Sequence, residues 1–121
     1  MPRLVEPPNS LLLVVGREDF TAPRSFDGRT CAATHDCVAI GVTSVSDGPT
    51  TLSVSVEPPA HLVSLGEFRL ETEGLVSVRD VHFREYDAVG AEPGWATVTV
   101  WGDDVREPAE IVVQVVEHAR S

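Results

Sequence analysis

The fold class can be predicted from one short stretch, residues 52–56, which read Leu-Ser-Val-Ser-Val. Successive side chains of a β-strand point to opposite faces of the sheet, so this alternation places the apolar residues on one face and the serines on the other. Pro58 and Pro59 end the strand, because proline cannot donate a hydrogen bond to a neighbouring strand. Residues 37–45 are also strand-like, and turn residues separate them from this stretch, so we expect the two to pair as a hairpin.

Further segments with alternating or continuous apolar residues are typical of strands, and they lie at residues 11–15, 68–71, 75–81, 81–84, 95–101 and 111–116. Residues 111–116 are apolar on both faces except at Gln114, which predicts a central strand. Valine dominates the apolar residues and suits a pleated sheet, whereas nine glycines and nine prolines leave little room for long helices. A single sheet cannot bury both faces of its central strands, so two layers are needed.

We therefore predict an all-β fold, an antiparallel two-layer β-sandwich of about seven or eight short strands. The 121 residues suit a single domain over residues 1–121. Residues 1–10 contain three prolines and few apolar anchors, which predicts a loose N-terminal arm.

The charge of the chain restricts its partners. The formal net charge is −10, and every basic side chain apart from histidine is arginine. Nucleic acid and anionic membranes both require a basic patch, so neither is expected as a partner, whereas a basic protein is. No apolar run approaches the roughly 20 residues of a membrane-spanning helix, and residues 11–15 are too short for a signal peptide, which predicts a cytoplasmic protein.

Two thiols and an imidazole lie close together in the segment Cys31-Ala-Ala-Thr-His35-Asp-Cys37. Thiolate and imidazole are zinc ligands, so Cys31, His35 and Cys37 are a candidate metal site. The spacing differs from common zinc motifs, and Cys37 begins an apolar strand, where cysteine usually behaves as a small core residue. We predict no catalytic residues and no cofactor from this pattern, and a disulfide and inert thiols remain the alternatives to the metal site.

A candidate partner-binding surface follows the strand at residues 95–101. It consists of Trp101, Asp103, Asp104, Glu107 and Glu110. Tryptophan is enriched where proteins bind one another, and the carboxylates suit a basic partner. A solvated acidic turn is the alternative for the carboxylates, because charges at strand ends prevent edge pairing. Trp95, Thr97, Thr99 and Trp101 share one face, which is either a binding surface or a second core layer, with the core layer favoured.

The C-terminal part of the chain also carries a resemblance. It rests on residues 93–101, Pro-Gly-Trp-Ala-Thr-Val-Thr-Val-Trp, followed by Glu107-Pro108 and by residues 111–115, Ile-Val-Val-Gln-Val. This run resembles the end of small bacterial β-sandwich proteins of the competence nuclease-inhibitor type. The resemblance implies a β-sandwich, and it implies an acidic domain that binds and blocks a nuclease. It supplies no family-specific functional residues.

The sequence therefore leaves three functions open. The leading hypothesis is an acidic protein-binding domain, an inhibitor or immunity-type partner of a basic protein. The second is a small-ligand or metal-binding domain centred on Cys31, His35 and Cys37. The third is a structural or dimerising subunit that uses the Trp-bearing face to form a homodimer.

Overall fold

The computed structural model of the chain describes residues 3–26 and 28–117. In these residues the chain forms ten β-strands, two short 3-10 turns and no α-helix. The strands are β1 Arg3–Val5, β2 Leu11–Val15, β3 Cys31–Ala33, β4 Cys37–Gly41, β5 Thr50–Ser55, β6 Val63–Thr72, β7 Leu75–Arg79, β8 Glu85–Gly90, β9 Gly94–Gly102 and β10 Glu110–Glu117. They form two five-stranded sheets, which confirms the predicted all-β sandwich with more strands than expected.

The first sheet has the strand order β1-β5-β10-β9-β6, and the second has the order β3-β4-β2-β7-β8. The central position predicted for residues 111–116 is confirmed, because β10 lies between β5 and β9. The predicted hairpin of residues 37–45 with residues 52–56 is wrong. β4 pairs with β2 and β3, whereas β5 lies in the other sheet and runs parallel to β10. The connection between β4 and β5 therefore crosses from one layer to the other.

The core lies between the two sheets and follows the alternation of the strands. On β9 the side chains of Ala96, Val98 and Val100 are fully buried, as the pattern of residues 95–101 predicts. The second sheet contributes Leu12, Val14, Val38, Ile40, Val76 and Val78 to the same cluster. Leu52 on β5 is fully buried as well, but Val56 lies beyond the strand and is exposed.

The first described residues are not a loose arm. Arg3–Val5 form β1, which pairs antiparallel with β5 at the edge of the first sheet. The physical reason is the burial of Val5, whose side chain joins the main core cluster. The predicted single domain over residues 1–121 stays a prediction, and residues 1, 2, 27 and 118–121 lie outside the described part of the chain. Within the described residues, no helix is long and apolar enough to cross a membrane.

Candidate functional site

The two tryptophans of β9 lie on the outer face of the first sheet, not in a second core layer. Trp95 is 44% exposed, and Trp101 is half-buried. The ring nitrogen of Trp101 donates a hydrogen bond to Oε1 of Gln114 on β10 (3.0 Å), and the guanidinium carbon of Arg69 lies 5.1 Å from the centre of the Trp95 ring. The core-layer interpretation fails because the inward positions of β9 are already filled by Ala96 and the valines. We call this outer surface the Trp face (Trp95, Thr97, Thr99 and Trp101).

The loop between β9 and β10, residues 103–109, is shaped by two of its own carboxylates. Oδ1 of Asp103 accepts hydrogen bonds from the backbone amides of Ala109 (2.9 Å) and Glu110 (3.0 Å). Oδ1 of Asp104 accepts hydrogen bonds from the amides of Arg106 (2.7 Å) and Glu107 (3.1 Å). These two amide donors lower the pKa of Asp104, so its exposed carboxylate is charged at neutral pH. The backbone of the loop therefore holds the carboxylates of Asp103 and Asp104 in position.

The five residues of the candidate partner surface lie at one end of the first sheet. Trp101 pairs with Val112, and Glu110 lies on the same face of the sheet, two residues before Val112 at the start of β10. Nε2 of His61 lies 3.4 Å from Oε2 of Glu110. Asp103, Asp104 and Glu107 are exposed in the loop beside them. We call Trp101, Asp103, Asp104, Glu107 and Glu110 the acidic surface.

The structure does not bring Cys31, His35 and Cys37 together. Cys31 pairs with Ile40 on β4 and joins the core between the sheets, whereas Cys37 joins a smaller cluster on the outer side of the second sheet. The two sulfurs thus lie on opposite faces of one sheet and cannot ligate the same ion. Among the described residues, no group of three or more possible ligands is placed to hold a metal.

His35 has a different environment from the one expected of a zinc ligand. Its Nε2 lies 3.3 Å from Oδ2 of the buried Asp36 and 3.9 Å from Oε1 of Glu71 on β6. Nη1 of Arg17 lies 3.6 Å from the same Glu71 oxygen. These side chains link the end of one sheet to the end of the other. Their arrangement is structural, because the His35 carbonyl also accepts the amide hydrogen of Glu71 (2.7 Å).

Both cysteines are expected to be unreactive in the folded protein. Burial raises the pKa of each thiol to about 12, so almost no thiolate is present at neutral pH. A disulfide-exchange reagent should therefore modify neither thiol in native protein and both thiols in urea. Rapid modification of one thiol in native protein would contradict the buried positions and restore a reactive-cysteine function.

A turn that the sequence did not predict lies between β7 and β8. Residues 81–84 alternate like a strand, but the structure ends β7 at Arg79 and forms a turn around the buried Asp80. Oδ1 of Asp80 accepts hydrogen bonds from the amides of His82 (2.7 Å) and Arg84 (3.1 Å), and Oδ2 accepts one from the hydroxyl of Tyr86 (2.9 Å). The aspartate followed closely by polar residues was the available signal for this turn.

The fold is that of a β-sandwich resembling the competence nuclease-inhibitor type, and the resemblance extends beyond the C-terminal strands. The chain is similar to a solved structure described as the crystal structure of ComJ, inhibitor of the DNA degrading activity of NucA, from Bacillus subtilis. The TM-score is 0.69, and the match covers 98% of this chain and 96% of that chain at 8% sequence identity. No family model and no curated protein matches the sequence. At this identity the likeness shows the fold.

Proposed function

We propose that this protein is an inhibitor that binds a basic nuclease through its acidic surface and blocks the access of DNA. The observation that carries the proposal is the likeness of the fold to the NucA inhibitor ComJ over nearly the whole length of both chains. Fold likeness alone does not define a function, so the charge and geometry of the chain must support the same conclusion.

The charge supports a basic partner. A nuclease needs positive charge where it holds the phosphates of DNA, and a protein with a net charge of −10 is attracted to the same region. Complementary charge accelerates association and excludes wrong partners. An acidic protein seated on the phosphate-binding region would compete directly with DNA, which gives inhibition without any chemical step.

The geometry of the acidic surface supports such competition. Asp103 and Asp104 each accept two backbone hydrogen bonds within the loop, so their positions are fixed before a partner arrives. Pre-organised groups bind more tightly, because less conformational entropy is lost on association. Trp101 adds a half-buried aromatic ring beside the carboxylates, and aromatic anchors of this kind dominate many interfaces.

A cytoplasmic location would suit the two unpaired cysteines.

The surface can be tested with a variant that keeps the loop intact. Asp103→Asn, Asp104→Asn, Glu107→Gln and Glu110→Gln remove four charges, while asparagine retains the Oδ1 acceptor that the backbone amides need. We expect the affinity for a basic nuclease to fall by about tenfold or more at low salt, and its dependence on salt to weaken. Calorimetric titration at two salt concentrations measures both effects.

A matched control separates the acidic surface from the overall charge. Glu6→Gln, Asp47→Asn, Glu57→Gln and Glu85→Gln remove the same number of charges from exposed positions elsewhere. This control should lose much less affinity than the loop variant. Equal losses in the two variants, or no loss in the loop variant, would remove the acidic surface from the proposal.

A further inference from the structure

A second candidate binding surface lies on the outer side of the second sheet, away from the Trp face. The segment that follows β2 folds back over this sheet, where Phe20 and Phe26 pack against a small apolar cluster that includes Leu13 and Ala39. A groove of about 510 Å³ remains between this segment and the turn that begins at Asp80. This volume lies within the range of about 300–1,000 Å³ in which protein pockets hold ligands.

One wall of the groove is an aromatic ring that the chain holds in an unfavourable backbone conformation. Phe83 has a φ of 65°, in the left-handed region that bulky residues rarely adopt, and its side chain is 63% exposed. The buried carboxylate of Asp80 imposes this conformation, because it accepts the amides on both sides of Phe83. The amide of Phe83 itself donates to the carbonyl of Asp80 (3.0 Å). Because the ring is mostly exposed, it adds little buried apolar area that would offset this cost.

A second aromatic ring, that of Phe20, also lines the groove and is in contact with the first. The ring centres of Phe20 and Phe83 lie 5.7 Å apart at an interplanar angle of 79°, which is a favourable edge-to-face arrangement. Leu11 and Leu13 form part of the floor, and Val81 lies beside Phe83. The apolar lining is thus assembled in the free protein, and pre-organised aromatic side chains of this kind dominate many interfaces.

The charges at the groove identify the chemistry of its occupant. The charged side chains that line it are Glu18 and Asp19, both acidic and both exposed. Arg79 holds the carboxylate of Glu18 through two hydrogen bonds (2.9 and 3.1 Å), which fixes the edge of the groove but compensates that charge. Asp19 adds a further negative charge, and the whole chain carries −10. An apolar group attached to a cation fits this environment, whereas an apolar group beside an anion does not.

We propose that the groove lined by the contacting rings of Phe20 and Phe83 is a docking site for a protein segment that presents an apolar side chain next to a basic residue. This surface belongs to the second sheet, and the acidic surface belongs to the first, so the proposal stands independently of nuclease inhibition. The protein would then have two binding faces, one for each outer side of the sandwich.

Short peptides test the docking site without a nuclease. The probes are the blocked peptides Arg-Leu-Phe-Arg and Glu-Leu-Phe-Glu, titrated into isotopically labelled protein and followed by amide chemical shifts. We expect the basic peptide to shift the amides of Leu11, Leu13, Phe20 and Phe83, and the acidic peptide to bind at least about tenfold more weakly. Shifts confined to other residues, no shifts at all, or an equal response to both peptides would overturn the proposal.

A variant that removes the ring without harming the fold makes the test sharper. Phe83→Gly deletes the aromatic wall and places at this position the residue that tolerates a positive φ. We expect this variant to lose peptide binding while its resistance to urea is maintained or increased. Asp19→Asn should weaken binding of the basic peptide alone. The control Val56→Ala removes another exposed apolar side chain, 65% exposed and outside the groove, and should bind like the wild type.

The same variants distinguish a second copy of the chain as the occupant, and they separate this proposal from nuclease inhibition. Sedimentation that shows a dimer in the wild type and a monomer in Phe83→Gly would assign the groove to a second copy of the chain and overturn the proposal. Unchanged binding of the basic peptide by Phe83→Gly would also overturn it. A nuclease that is still inhibited by Phe83→Gly would leave the proposed function intact, so the two proposals can fail separately.

Discussion

Gly16→Ala is expected to destabilise the protein by about 3 kcal/mol or more, because the site has no room for a methyl group. A Cβ at this position would lie 2.1 Å from the carbonyl oxygen of Glu71 and 3.0 Å from the Cα atom of Thr72. Both neighbours are backbone atoms of β6, so no side-chain rotation can relieve the clash. The amide of Gly16 also donates to the carbonyl of Asp36 (3.2 Å), and its carbonyl accepts the amide of Glu73 (2.8 Å). The substitution would therefore force the two sheets apart where their ends meet.

Urea unfolding of Gly16→Ala and Gly90→Ala measures this effect against a matched control. Gly90 lies on the edge strand β8, and a Cβ built there meets nothing within 4 Å. Alanine at that position should be neutral or slightly stabilising, because it restricts the unfolded chain more than glycine does. Similar stabilities for the two variants would contradict the close approach at Gly16.

Asp80→Ala is expected to cost about 3 kcal/mol, because it leaves the amides of His82 and Arg84 and the hydroxyl of Tyr86 without their acceptor. Asp80→Asn should cost less at neutral pH, since its amide oxygen can still accept the backbone hydrogen bonds. The difference between these two variants, measured by urea unfolding, gives the contribution of the buried acceptor. Equal losses would mean that the charge of Asp80, rather than its hydrogen bonds, holds the turn.

The contribution of Asp80 to the stability of the fold should decrease as the pH is lowered. Burial opposes ionisation, but the amides of Arg84 and His82 and the Tyr86 hydroxyl outweigh it and lower the pKa of Asp80 below 3.8. A lowered folded-state pKa stabilises the fold above the unfolded value, and this contribution is lost as the pH falls below 3.8. The stability advantage of the wild type over Asp80→Asn should therefore be full at neutral pH and shrink in acid.

The titration of Tyr86 measures independently the hydrogen bond that its hydroxyl donates to Asp80. It is the single tyrosine of the chain, and burial together with the hydrogen bond to Asp80 raises the pKa of its hydroxyl to about 12. Ultraviolet titration of tyrosinate should show a lower pKa in Asp80→Asn than in the wild type. An unchanged titration would place the Tyr86 hydroxyl away from Asp80.

The sequence predicted the faces of the strands better than their partners. Alternation assigned the inward side chains of β9, and the apolar residues on both faces of β10 assigned its central position, because each depends only on local sequence pattern. The parallel pairing of β5 with β10 joins residues far apart in the chain, and alternation carries no information about it. The strand β1 was missed because its three residues are followed closely by prolines, which resemble a loose terminal segment.

The same distinction applies to the candidate sites, where local patterns could be predicted and contacts between distant segments could not. The short spacing of Cys31 and Cys37 in the sequence suggested a shared site. The turn between β3 and β4 instead places their side chains on opposite faces of the second sheet. The acidic loop was recognisable from composition, whereas the hydrogen bonds that fix its carboxylates required coordinates. The groove at Phe83 could not be predicted, because residues 81–84 alternate as a strand does and its other wall comes from a segment some 60 residues earlier.

Degradation of DNA by the nuclease fraction of the source cells, measured with increasing amounts of the purified protein, tests the central claim most directly. We expect degradation to stop near one molar equivalent of the wild-type protein, and we expect the variant with four neutralised acidic-surface carboxylates to fail to stop it at the same concentration. Degradation that continues unchanged in a large molar excess of the wild-type protein would rule out nuclease inhibition.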